Sequence, residues 1–524
     1  MPLHMEKTSA SFRSKSGLYF IGVLGAVALA HLPFWRLPYF WDEAGYYIPA
    51  ALDFFRQGLL IPQSTLTTGH TPLIPVYLAL AWQLLGFSPL ITRLAMAAFA
   101  AATLVALYVL GRAVASHEAA LWACILLAVS PLFFAQSTLA FLDLPAAFTT
   151  TMAVWALLRR RLGWFALAAS IAVLTKETAI VIVPVAIIFV WRTKKHMDRS
   201  PWIWLATPVA TLAAWAVYYH HQIGFWTGNS EYLQYNLYST LGPVRVATSF
   251  ARRLYQVFIA GFNWLLVGAA LFGFRRMKAA QQQKAAEGAT SKAERGADPR
   301  IEFLFLAAGL VAVYIALLSV VGGAVLPRYL LPMFPCFYLA LVLFVEFLPR
   351  PVMRVAFVLV AAGFVAAWFI KPSYPFAYEN NLAYADFIRL HEQAAEWLSA
   401  QPDTPRILTA WPATDELSHP ELGYVKEPLR VVGVPGFAPP YFRNVPDTSF
   451  DLVYLYSRQW DPPDNWLRRL PWLARTGKYT PPIRPAFLAF RYRLHEVASF
   501  ERGGQWVKIY AKSTSAAPKA NPNF

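Results

Sequence analysis

Three short clusters place ionisable side chains at the edges of apolar stretches. Asp42 and Glu43 stand in WDEAGYY, Asp143 in LDLP, and Lys176 with Glu177 in TKET. An acidic group at the rim of a hydrocarbon layer is costly to keep and marks a site by default. A carboxylate held there suits removal of a proton from an attacking hydroxyl. A cation suits stabilisation of the negative charge that grows as a bond breaks. Further groups of that kind are His70 in GHTPL, the Arg252–Arg253 pair, and Arg328 beside Tyr329 in LPRYLLP. Each has a plainer reading. Asp143 precedes Pro145 and could cap a helix by accepting an orphan N–H. Lys176 and Glu177 could neutralise each other at a hairpin tip, and Asp42 with Glu43 could be a solvated loop anchored by Trp41. Arg328 could snorkel from a span to the interface. His220 and His221, with Glu231 nearby, invite metal ligation, but neighbouring residues on a helix do not share a face.

The elements that must position these groups are membrane spans. Of 524 residues, 57% are hydrophobic and only 14% charged, against roughly 25% charged in soluble domains. Mean hydropathy is +0.40. Eleven apolar runs are read as spans across a bilayer of about 30 Å: 17–37, 90–111, 119–136, 144–158, 162–175, 179–191, 202–219, 254–274, 301–322, 329–348 and 352–370. Basic clusters at 7–15, 159–161, 192–199, 275–284 and 350–354 fall on one side if the spans alternate, and that side is cytoplasmic. A twelfth apolar stretch, 72–86, would break this pattern if it crossed, so it is expected to lie at the outer surface or to re-enter. The N-terminus is then inside and the C-terminus outside. Residues 13–30 also fit a cleavable signal peptide, with the same topology downstream. The net charge of +17 arises from short clusters between spans, which argues against nucleic acid as a partner. Cys124 and Cys336 both sit in apolar runs, so neither a disulfide framework nor a zinc knuckle is supported.

Three segments are not membrane. Residues 38–89 form a long outer loop rich in aromatic residues. Residues 275–300 form a cytoplasmic linker, and 277–299 within it, rich in Ala, Gln and Lys, reads as disordered. Residues 371–524 have mixed polarity: HEQAAEWLSA from His391 reads as an amphipathic helix, and ILTAW from Ile407, FDLVYLY from Phe450 and QWVKIYA from Gln505 read as strands. This gives two domains, a membrane domain at 1–370 and an outer α/β domain at 371–524. All the acidic clusters named above land on the outer face, although only basic residues were used to assign it.

The order of these motifs carries more than any one of them. An acidic pair after the first span, GHTPL (69–73), LDLP, TKET and LPRYLLP together resemble the GT-C superfamily of glycosyltransferases that use polyprenyl-phosphate sugars. Within it, the nearest groups are the dolichyl-phosphate-mannose protein mannosyltransferases and the bacterial aminoarabinose transferases of lipid A. The resemblance runs from Phe40 to about Leu348. It implies an α-helical, GT-C-like integral membrane fold, of about eleven spans plus outer-surface helices, with the C-terminal α/β extracytoplasmic domain attached. It also implies a multi-pass location in the bacterial inner membrane, with the active site on the periplasmic face. Asp42, Glu43 and Asp143 take the catalytic positions. His70, Lys176, Glu177, Arg328 and Tyr329 take the substrate-binding ones. Two departures matter: Thr71 replaces the usual first proline of the turn, and His70 stands where lipid A enzymes carry a lysine.

The resemblance implies transfer of a sugar from a polyprenyl-phosphate donor to a hydroxyl on a glycan, glycolipid or protein acceptor, by single inverting displacement. Asp42 would accept the acceptor's proton, Asp143 would position the acceptor or the base, and Glu177 would hold Lys176. His70, Lys176, Arg328 and the arginine pair would meet the leaving phosphate. Some GT-C relatives need a divalent cation and others do not, and the sequence does not choose. Rival readings are a transporter or flippase of lipid-linked sugars, a receptor or assembly protein, and an oligosaccharide polymerase or ligase. A transporter predicts internal repeats and broken helices at the midplane, and neither is visible.

Overall fold

The computed structural model describes residues 3–193, 201–286, 298–462, 464–465, 469–472 and 485–512, with the side chains of 3–16 and 284–286 left aside. The expected positions Lys194, Lys195, Arg199, Ser291 and Lys292 lie outside the described residues. The chain divides into two compact units: Met1–Trp35 with Ala50–Ile370, and Arg36–Pro49 with Lys371–Phe524.

The first unit is helical throughout. Its helices are α1 (Leu3–Ala30), α2 (Ile48–Gln57), α3 (Leu73–Leu85), α4 (Pro89–Val114), α5 (His117–Val129), α6 (Pro131–Gln136), α7 (Asp143–Leu158) and α8 (Leu162–Thr175). There follow α9 (Ile182–Thr193), α10 (Trp202–Ile223), α11 (Ser230–Asn236), α12 (Pro243–Phe258), α13 (Asn263–Ala286), α14 (Pro299–Val320), α15 (Phe334–Val345) and α16 (Arg350–Ala367). Local chemistry sets the starts. Ser88 accepts from Ile91 N at 3.3 Å ahead of Pro89, and Ser116 accepts from Ala119 N at 3.1 Å; both satisfy orphan N–H groups. Leu107, Leu126, Val154, Leu310, Leu339 and Val342 are among the residues that bury a shared apolar core.

Apolar runs and helices do not coincide everywhere. The run 119–136 is one stretch by hydropathy, yet Ser130–Pro131 divides it into α5 and α6, because proline starts a helix but cannot continue one. The run 254–274 breaks at Gly261 and Phe262, both with positive φ, between α12 and α13. The runs 179–191 and 329–348 each begin in 3₁₀ geometry. Among the described residues, five stretches are long and apolar enough to cross a bilayer: Pro89–Val114, Pro243–Gln283, Pro299–Val320, Pro327–Val345 and Arg350–Ala367. Five more apolar helices are shorter, α3 among them. One expectation is corrected outright: residues 277–286 are not disordered but extend α13. The Ala, Gln and Lys that made them look like a linker are strong helix formers.

The second unit is α/β, as expected. Its strands are β1 (Ile407–Ala410), β2 (Val431–Val434), β3 (Leu452–Tyr456), β4 (Leu494–Arg502) and β5 (Gln505–Lys512), in the order β2-β1-β3-β5-β4. The strand β1 pairs in parallel with β2 and β3, and β5 pairs antiparallel with β3 and β4. Helices α17 (Ala383–Ser399), α18 (Ala413–Ser418) and α19 (Pro485–Tyr492) accompany the sheet. Every residue of β1 and β3 is buried, which is why their sequences read as continuous apolar runs. The helix expected from His391 and three of the strands are present. Two strands went unread: β2 is four residues around Gly433, and β4 changes register between Glu496 and Ala498. That irregularity breaks the two-residue alternation by which a strand is recognised.

Candidate active site

The TKET segment is where α8 ends. Lys176 is extended (φ −155°, ψ 124°), and Glu177 starts a 3₁₀ turn before α9. Successive side chains of an extended segment point opposite ways, so these two take separate direct partners. The expected Lys176–Glu177 pair is accordingly replaced by two others. Lys176 Nζ meets Asp143 Oδ1 at 2.5 Å, both side chains almost fully buried. Glu177 Oε2 lies 3.0 Å from His70 Nδ1, both partly exposed.

Around the first pair the structure gathers a buried, mostly cationic cluster. Asp143 is the first residue of α7, where the helix dipole favours negative charge. Arg328 Nε stands 3.7 Å from Asp143 Oδ2, and its guanidinium lies over the Phe141 ring at 4.0 Å. Arg328 is only 1% exposed, which excludes the reading of it as an interfacial anchor. Tyr329 offers its ring face to Lys176 Nζ at 4.3 Å, to Arg328 Cζ at 5.4 Å and to Arg253 Cζ at 5.9 Å. Arg253 is fully buried and donates to Leu326 O at 2.7 Å, Gln256 Oε1 at 3.0 Å and Leu318 O at 3.3 Å. Among the described residues its Nη2 has no hydrogen-bond partner, and Gln256 in turn donates to Val325 O at 2.8 Å. Its neighbour Arg252 is exposed.

Three buried cations, Lys176, Arg253 and Arg328, thus gather about Asp143 and the Tyr329 ring. Buried charge is costly unless it is paired. Such a gathering of donors suits an oxyanion such as a phosphate ester.

The GHTPL turn brings the second pair alongside TKET. Gly69 has φ +73°, and a Cβ there would collide with Gly228 N and with Thr227. Both the conformation and the close approach demand glycine. His70 follows, edge-on to the Tyr232 ring at 5.9 Å. Burial pushes the Glu177 carboxyl up, but the His70 and Lys176 charges outweigh it and hold the group at about 2 rather than 4.5. A depressed carboxyl contributes stability that is complete above its unfolded value and disappears as pH falls towards its folded value. Purified wild-type protein should therefore melt above Glu177→Gln at pH values over 4.5, with the gap closing as pH falls to about 2. A gap independent of pH over that window would remove the ion pair as its source.

Asp42 and Glu43 belong to the other unit. Trp41 is in the left-handed region (φ +48°), and a single π-helical turn, Glu43–Tyr47, follows Asp42. Glu43 is fully buried and accepts from Phe40 N at 2.8 Å, which gives its carboxylate a structural task. Asp42 is partly exposed.

The remaining expectations and omissions are smaller. His220 stacks on Trp226 at 4.2 Å, and among the described residues no group of three His, Cys, Asp or Glu is placed to hold a metal. Sequence reading missed Phe141, whose only signal was an aromatic side chain just ahead of LDLP. It also missed Asp53, a buried acid that accepts from Gln63 N at 2.7 Å and Ser64 N at 2.9 Å, shaping the loop that leads to GHTPL.

This is the fold of the GT-C membrane glycosyltransferases. ArnT from Cupriavidus metallidurans bound to undecaprenyl phosphate superposes with a TM-score of 0.56 at 14% identity, covering 97% of this chain and 100% of that one. Its apo form gives a TM-score of 0.53 at 15% identity, covering 94% and 98%. Residues 69–220 match the family model of dolichyl-phosphate-mannose-protein mannosyltransferase, a segment that opens on the GHTPL turn and includes Asp143, Lys176 and Glu177. No curated protein matches by sequence. The likeness in fold thus extends along nearly the whole chain, and the likeness in sequence is confined to residues 69–220.

Proposed function

We propose that the protein transfers a sugar from a polyprenyl-phosphate donor to a hydroxyl acceptor at the outer face of the bacterial inner membrane. The observation that carries this reading is the buried gathering of Lys176, Arg253 and Arg328 around Asp143 and Tyr329. Lys176, Arg253 and Arg328 would hold the donor phosphate and stabilise the charge it gains as the sugar leaves. Tyr329 would pack beneath them, and Asp143 would fix the position of Lys176. His70 and Glu177 would close the same region from the GHTPL side. Asp42 would accept the proton of the acceptor hydroxyl as that oxygen bonds to the anomeric carbon. The bond from that carbon to the phosphate oxygen breaks in the same step, so the centre inverts and the lipid phosphate departs as an anion. Glu43 would keep the backbone before Asp42 in its turn.

The test is incubation of the purified protein with a panel of polyprenyl-phosphate sugars and hydroxyl acceptors, following release of polyprenyl phosphate. Release that requires an acceptor supports transfer. Movement of the donor across a bilayer without release would instead make the protein a flippase.

The outer-face assignment rests on the basic clusters. In a Cys124→Ala/Cys336→Ala background, Asp464→Cys should react with an impermeant maleimide in intact cells, whereas Ser291→Cys should react only after lysis. Labelling of Ser291→Cys in intact cells would reverse the orientation.

A further inference from the structure

We infer that Trp411 is a positioning residue for Asp42, and hence that the C-terminal α/β unit is part of the catalytic apparatus; this rests on the reading of Asp42 as the base. The segment Arg36–Pro49 folds with Lys371–Phe524, although over three hundred residues separate them in sequence. Ahead of Asp42 the segment is pinned at its backbone. Tyr39 N donates to Leu422 O at 3.2 Å, and the Tyr424 hydroxyl donates to Tyr39 O at 3.0 Å. The Phe40 ring meets Phe387 edge-on at 5.4 Å.

On both sides of Asp42 in sequence the chain packs on the Trp411 indole. The Trp411 ring lies 5.6 Å from Trp41 at an interplanar angle of 79° and 5.4 Å from Tyr46. Gly45 packs so closely on it that a Cβ would run into its Nε1, Cε2 and Cζ2 atoms. The same side chain therefore touches the residue before Asp42 and those just after it. That contact is needed because Trp41 is left-handed, a conformation that is costly for a bulky residue and persists only where its surroundings enforce it. Phe387 at 5.4 Å and the Arg458 guanidinium at 5.6 Å complete the enclosure of Trp41.

Removal of the indole lets Trp41 return to an ordinary backbone conformation, and the Cα of Asp42 moves with it. Misplacement of a reacting group by about 1 Å costs on the order of 10² in rate. A residue that acts through Asp42 must lose its effect once Asp42 cannot act, which a merely structural residue would not do. The experiment is a double-mutant cycle on the full-length protein. Trp411→Ala is expected to lower kcat by about 10²-fold with donor KM little changed, and to cost almost nothing further in an Asp42→Asn background. Equal losses in both backgrounds would overturn the inference and leave Asp42 as the base. Near-normal turnover of Asp42→Asn alone would overturn the base assignment, and this inference with it. Should Trp411→Ala fail to fold, Gly45→Ala and Trp411→Phe replace it. The added methyl should displace the segment and the smaller ring should make room for it, so the double variant should recover activity lost in Gly45→Ala. Additive losses would overturn the inference.

Discussion

Asp42→Asn is expected to fold normally, to bind polyprenyl phosphate as the wild type does, and to lose about 10²–10⁴ in turnover, the usual penalty for a missing general base. The neighbouring acid should behave differently. Glu43 is buried and accepts from Phe40 N, so Glu43→Gln keeps a hydrogen-bond acceptor there and should retain most activity. Release of polyprenyl phosphate under saturating donor and acceptor measures both. The assignment fails if Asp42→Asn turns over near normally, and the two roles exchange if Glu43→Gln is the inactive one.

Lys176→Ala is expected to damage both stability and turnover. Breaking a buried ion pair from one side typically costs about 3–5 kcal/mol, and Asp143 keeps only the longer 3.7 Å contact with Arg328. Loss of a group that stabilises a developing oxyanion costs about 10²–10³ in rate. The double change Lys176→Ala/Asp143→Asn removes both charges and should restore most of the stability while leaving the enzyme inactive. Binding of polyprenyl phosphate separates the partners by sign. Lys176→Ala makes the cluster less positive and should weaken binding, whereas Asp143→Asn makes it more positive and should not. Recovery of stability and turnover together in the double variant would make the pair a structural bond only.

The membrane class and the α/β unit were legible because apolar runs, basic clusters and buried strands report burial directly. Less was legible where local backbone geometry intervenes. Hydropathy cannot see that Ser130–Pro131 or Gly261 divides an apolar run, because it sums side chains and ignores where proline or positive φ stops a helix. Composition misread 277–286 because the residues common in linkers are also good helix formers. Within the site, each of Asp143, Lys176, Glu177, His70, Arg328 and Tyr329 was visible as a type out of place. Their pairing was not, since adjacency in sequence suggested Lys176 with Glu177, and only the extended backbone at Lys176 turns the two apart. Nor could the sequence show that Arg36–Pro49 folds with residues 371–524, because no local pattern encodes a partner so distant along the chain.

That distance has a meaning in time. Some 380 residues separate Tyr39 from the Leu422 carbonyl that it meets, and a ribosome adding about 5–20 residues per second takes roughly 20–75 s to cover them. Through that interval the helices of the first unit are made, while the residues 371–524 with which Arg36–Pro49 folds are still unfinished. Closing so long a loop adds little entropy cost beyond closing a shorter one, so the delay is set by translation rather than by the search. A nascent chain should thus be able to complete the helices of its first unit before the segment Arg36–Pro49 can join the sheet-bearing unit it folds with.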